Sequence, residues 1–204
     1  MHFDSGLGGP YHARAMGNLL QDRRTPLELA TSGQVIEFSE KISEFEKLTG
    51  IVEGDLGVLN PDKLPLDWRD TVVAGQLSFG FADAQGAIPA LQGQATTTID
   101  AVCQRCLEAF RLPLVADLQL LFGGDETASS DTVSAADGGY EIWELEQETF
   151  RPLDLVEEAL IMAIPLAAMH VDSKTCHGPE SVAKDSGERI QPFATLKSQM
   201  EDEN

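Results

Sequence analysis

The chain has 204 residues, 42% of them apolar, and carries 34 acidic against 14 basic side chains for a net charge of −20. That length supports one well-cored domain with tails and leaves two full domains cramped, and the apolar content is that of a globular chain. No apolar run is long enough to span a bilayer, and the acidity repels phosphate backbones, which argues against nucleic-acid binding by the surface as a whole. The acidity reads either as a solvated surface or as one that docks on a basic protein partner such as a ribosomal protein.

Residues 1–25 are Gly-rich and show no sustained period, which predicts a mobile N-terminal extension, or an upstream start with Met16 as the alternative. Met1 to Pro10 lacks the basic region and apolar core of a secretory signal. Three cysteines without such a signal argue for a reducing compartment, so a cytoplasmic protein is expected. Pro26 to Leu29 reads as a short first strand. Val35, Phe38, Ile42, Phe45 and Leu48 recur at three- and four-residue steps, which predicts an amphipathic helix over 35–48 with Gly50 as its stop.

A loop holding Pro61, Pro65 and Trp68 leads to Thr71–Phe81, where Leu77, Phe79 and Phe81 alternate as in a half-buried strand. Asp83 to Gly86 reads as a hairpin turn. A second strand runs from Ile88 to Val102 and a third from Leu107 to Phe122, giving an antiparallel meander. Residues 123–139 are Gly, Ser, Thr, Ala and Asp, the composition of a flexible loop. Tyr140 to Leu145 alternates as another strand. Asp154 to Pro165 predicts the second main helix, with Asp154 as N-cap, Glu157 at the capping-box spacing and Glu157–Glu158 on its solvated face. Between Asp125 and Glu158 stand eleven acidic residues and one basic, Arg151. The fold class expected is α+β: an antiparallel β-meander packed with two main helices. Residues 26–177 would form a single domain, and 178–204 a polar tail with a short apolar docking segment, Pro192 to Leu196.

Cys103-Gln104-Arg105-Cys106 falls on the hairpin turn between the second and third meander strands. In a thioredoxin-like site the pair opens a helix, which depresses the thiol pKa; here a strand containing Pro113 follows. A C-x-x-C on a β-turn is the shape of half a zinc site. Cys176, flanked by His170 and His177, would complete one: Cys103, Cys106, Cys176 and His170, three thiolates and one imidazole, as a structural zinc ligand set. His177 is a rival fourth ligand, while His2 and His12 lie in the extension. The competing readings are a thiol-redox pair at Cys103 and Cys106, and three unused thiols. No G-x-S-x-G, H-E-x-x-H or phosphate-cradling glycine loop is present, so an enzyme is not supported and no small-molecule substrate is expected.

Val102-Cys103-Gln104-Arg105-Cys106-Leu107-Glu108-Ala109-Phe110 resembles the signature of the YceD family, bacterial large ribosomal RNA subunit accumulation proteins. The acidic helix ending in Ile164-Pro165, the following His170 and Cys176, and the closing Pro192-Phe193-Ala194-Thr195-Leu196 are similar to that family in the same order, over about residues 26–197. The resemblance implies a non-enzymatic role in synthesis, processing or stability of 23S rRNA, and so in large-subunit biogenesis. It also implies metal competence, because in relatives the position like His170 can be a cysteine. With a charge of −20, action through a ribosomal or assembly protein, or a small contact with the large-subunit rRNA precursor near Arg105 and Arg111, is expected. The alternative function is a thiol-redox or zinc-dependent protein-interaction module.

Overall fold

The computed structural model describes residues 18–83, 86, 88–123, 139–145, 147–170 and 176. Among them are three α-helices, α1 (Pro26–Thr31), α2 (Glu46–Leu56) and α3 (Pro152–Met162), and five strands: β1 (Val35–Lys41), β2 (Val72–Phe81), β3 (Pro89–Val102), β4 (Ala109–Phe122) and β5 (Glu141–Trp143). The strands form one sheet in the order β1-β2-β3-β4-β5. All neighbours are antiparallel except β4 and β5, which are parallel. This is the α+β class read from the sequence, with β2-β3-β4 as the meander and the C-x-x-C on its second turn. No described helix is long and apolar enough to cross a membrane.

One face of the sheet is buried, through Ile36 and Phe38 on β1, Val73, Leu77 and Phe79 on β2, Leu91, Ala95 and Ile99 on β3, and Leu114, Ala116, Leu118 and Leu120 on β4. Against it pack Leu48, Val52 and Leu56 of α2 and Leu153, Leu155, Val156 and Leu160 of α3. The period-2 alternation of burial along β4 is what a strand with one covered face requires.

Several expectations are corrected. Pro26–Thr31 is helical, not a strand, because Thr25 and Glu28 form a reciprocal capping box with Pro26 in the first turn. The helix predicted over 35–48 is instead β1, a 3-10 turn over Ile42–Glu44, and the start of α2. Ile36 and Phe38 are buried at strand spacing while Val35, counted in the helical stripe, is 47% exposed. Gly50 lies inside α2, and Gly57 caps its end. At α3 the N-cap is Arg151, whose guanidinium bonds the Asp154 carboxylate at 2.6 and 3.1 Å.

Glu157, read as solvated, is 3% exposed. Its Oε1 accepts from the backbone N–H groups of Lys47 (2.7 Å) and Leu48 (3.1 Å). These are orphan donors in the first turn of α2, so a carboxylate from α3 caps a helix whose own N-cap, Phe45, has no side-chain oxygen. Lys47 pairs with Glu158 beside it.

The packed chain also begins before Pro26. Leu20 is fully buried, its carbonyl accepts from Leu153 N–H (2.8 Å), and Arg24 and Phe150 form a two-way backbone bridge. Residues 1–17, 124–138 and 177–204, which include His177 and the tail over 178–204 with its docking segment, lie outside the described residues.

Candidate metal centre

The β3–β4 register runs without a break to Val102 opposite Ala109. Beyond that pair the chain turns tightly: Cys103 N–H donates to Glu108 O (3.0 Å) and Leu107 N–H to Cys103 O (2.8 Å). Leu107 closes the turn at φ 58°, a left-handed conformation that side chains larger than Asn seldom adopt and that surrounding contacts must hold. Two contacts hold the turn from outside the hairpin. Asp55 of α2 accepts from Val102 N–H with Oδ2 at 2.6 Å. Gln104 N–H donates to Ala168 O at 2.9 Å, fastening the segment after α3 to the knuckle.

That fastening delivers the distant ligands. His170 packs against Phe110 with ring centroids 4.7 Å apart and the rings tilted by 35°, which restricts the orientation of its imidazole. One ligand atom from each of Cys103, Cys106, His170 and Cys176 lies within 4.8 Å of the others. Cys103 and Cys176 are buried and Cys106 is half-buried, and all three are free thiols. The Cys103 and Cys176 sulfurs are 3.7 Å apart, far beyond the roughly 2.05 Å of a disulfide. Cys106 Sγ lies 3.6 Å from His170 Nδ1.

The Cys103–Cys176 and Cys106–His170 separations match those of neighbouring ligands on one small tetrahedral ion. Metal–sulfur bonds of about 2.3 Å and a metal–nitrogen bond of about 2.05 Å put tetrahedral neighbours roughly 3.8 Å (S···S) and roughly 3.55 Å (S···N) apart. The donor set, three cysteine sulfurs and one imidazole, is compatible with zinc.

The protonation energetics point the same way. Burial pushes the Cys103 thiol up, but backbone N–H groups of Cys106, His170 and Arg105, with the His170 ring, outweigh it and bring the thiol down to about 5. Burial likewise raises Cys176, and hydrogen bonding and repulsion from Cys103 and Cys106 push it to about 11. Without a cation, then, a thiolate is welcome at Cys103 and opposed at Cys176. A divalent ion reverses that penalty, since a coordinated thiol is deprotonated outright.

The two arginines differ. Arg105 is exposed on the turn. Arg111 sits opposite Asp100 in the β3–β4 register, and its guanidinium lies 3.8 Å from that buried carboxylate. Burial raises the Asp100 carboxyl, and Arg111 pulls it back. Sequence reasoning had no signal for Asp55 or Ala168, whose roles depend only on where α2 and the segment after α3 come to rest.

The fold and site define an α+β protein with a Cys3His cluster able to hold a metal ion, built between a strand turn and the segment following α3. No solved structure matches the chain. Residues 91–198, more than half of the chain, match the family model of large ribosomal RNA subunit accumulation protein YceD, and the chain belongs to that family. The matched stretch contains all four residues of the cluster, whereas β1, β2, α1 and α2 precede it.

Proposed function

We propose that this protein is a non-catalytic factor in large-subunit ribosome biogenesis, acting in the cytoplasm to support synthesis, processing or stability of 23S rRNA. The family match over 91–198 is the observation that carries this reading. The net charge of −20 favours action through a ribosomal or assembly protein over a broad RNA interface. Direct contact with the rRNA precursor would be confined to a small patch around Arg105, because Arg111 is engaged by Asp100.

Within that role the Cys3His cluster is a structural zinc site. Cys103 and Cys106 from the knuckle, and Cys176 and His170 Nδ1 from the segment after α3, would hold the ion. When bound, zinc neutralises the thiolates and joins the meander to the end of the helical layer. The chain's own residues pre-arrange this: Asp55 and the Ala168 carbonyl hold the knuckle from two sides, and Phe110 orients the imidazole. The thiol-redox alternative is not favoured. Its pair, Cys103 and Cys106, does not sit at a helix N-terminus, and the hydrogen-bonding sulfur partner of Cys103 is Cys176.

The test of the role is the 23S to 16S rRNA ratio in cells lacking the protein, under slow and fast growth, with wild-type and Cys103→Ser copies restored. A lowered ratio rescued by the wild type supports the role; an unchanged ratio in both regimes rejects it. Metal analysis of protein purified without chelator addresses the site separately, with about one zinc per chain expected and none after Cys103→Ser.

A further inference from the structure

The metal centre occupies the turn at one end of β4. The long outer edge of the same strand is left over. The hydrogen bond from Cys103 N–H to Glu108 O places the even-numbered residues of β4 in the pairs bonded to β3, because their register is unbroken. On the other side Gly123 N–H donates to Trp143 O at 3.4 Å, so the odd-numbered residues aim their backbone groups outward. β5 meets those groups only over Leu120–Phe122. From Arg111 to Asp117, no backbone hydrogen bond from a described residue reaches this edge.

Pro113 belongs to the outward set, where its missing N–H removes no ladder bond, as expected of an edge strand. Between the edge and α3 runs a groove of about 570 Å³. Its floor is apolar, with Leu118, Leu155, Ala159 and Met162, and Asp117, Glu141 and Glu158 stand around it. Val115 is 57% exposed and Met162 83%. Two of the carboxylates are already engaged, Glu158 by Lys47 and Asp117 by the Gln94 amide at 2.6 Å, yet the groove keeps a negative balance.

Proline and charge on an edge strand guard against pairing with another copy, and a second copy would bring a further charge of −20 to this edge. The same charges admit a segment of opposite sign. We propose that the outer edge of β4 from Arg111 to Asp117 is a strand-addition site for an extended, basic segment of a partner protein. The partner's backbone pairs with the outward groups of Arg111, Val115 and Asp117. Alternate apolar side chains enter the groove beside α3, and the intervening cationic ones face Asp117. This surface shares no residue with the Cys3His cluster, and its occupation does not depend on the rRNA role.

The probe is a fluorescein-labelled (Val-Lys)5 amide, titrated by anisotropy with the full-length, metal-loaded protein. The comparators are the same peptide N-methylated at every residue, (Val-Glu)5, and a ten-nucleotide uridine single strand. Saturable binding is expected, weakened at least tenfold by N-methylation and by Val115→Pro, weakened by Asp117→Lys, and absent for (Val-Glu)5 and the oligonucleotide. Val115→Pro removes only an outward donor, and an unchanged melting temperature checks that it folds. Should that variant fail to fold, the N-methylated peptide decides alone. Equal binding of the N-methylated peptide, preference for the oligonucleotide, no binding, or a dimer abolished by Val115→Pro would each overturn the assignment.

Discussion

Replacing Cys176 with serine tests the metal centre by removing the ligand farthest along the chain. Cys103 and Cys176 are 73 residues apart in sequence. A link closing a loop of that length removes about 4 kcal/mol of conformational entropy from the unfolded ensemble, and a metal clip closes the loop in the same sense. At about 2–4 °C per kcal/mol for a domain of this size, the melting temperature should fall by roughly 10 °C. The substitution also changes a buried side chain, so the decisive comparison is with chelation. A strong chelator should lower the wild-type melting temperature by a similar amount and move Cys176→Ser much less, because the three ligands left to the variant, Cys103, Cys106 and His170, hold zinc too weakly to clip the chain. Differential scanning calorimetry with and without chelator reads all four states. If chelator shifts wild type and variant equally, or shifts neither, the clip is not what joins the knuckle to Cys176.

Glu157→Ala should destabilise by about 2 kcal/mol in urea, since it strands one buried and one part-buried N–H donor and removes a carboxylate at the start of α2; Glu157→Gln should cost about half as much. A loss below about 0.5 kcal/mol for the alanine variant would show that the cap is not needed. In metal-free protein the two shifted thiols predict a stability maximum near pH 9. The folded Cys103 thiol titrates near 5 against an ordinary value of about 8.5, so its contribution is full above that ordinary value and is lost as pH falls through 5. The folded Cys176 thiol titrates near 11, so its contribution is full below the ordinary value and is lost as pH rises through 11. Urea titrations of chelated wild type, Cys103→Ala and Cys176→Ala across pH 5–11 check each arm, and a flat wild-type profile would contradict both. Gly93→Ala should cost about 2 kcal/mol by overpacking, because its Cβ would fall 2.6 Å from Gln76 O and 2.8 Å from Leu77 Cδ2. Gly80→Ala, with nothing within 4 Å, is the matched control in the same denaturation assay.

The meander was legible because Leu77, Phe79 and the residues of β3 and β4 alternate over lengths that a helix cannot imitate. The segment over 35–48 was misread because Val35, Phe38, Ile42 and Phe45 satisfy helical spacing while the chain changes from strand to helix among them. Alternation at Ile36 and Phe38 was the competing signal, and burial of those two residues against the sheet decided it. At Thr25 the capping box was written in the residues themselves and outweighed the strand-like look of Pro26–Leu29.

By itself the sequence determined the α+β class and the C-x-x-C knuckle on its turn, and it singled out Cys176 and His170, with His177 as a rival, as side chains fit to share an ion with that pair. Those are local matters of periodicity, turn chemistry and ligand softness. Only the tertiary structure decided that Cys176 meets Cys103, that Glu157 caps another helix, and that the outer edge of β4 beside an acidic groove is unpaired by any described residue. Each of these depends on which surfaces pack across long stretches of chain, and hydrophobic burial, being non-directional, leaves no spacing in the sequence from which such a meeting can be read.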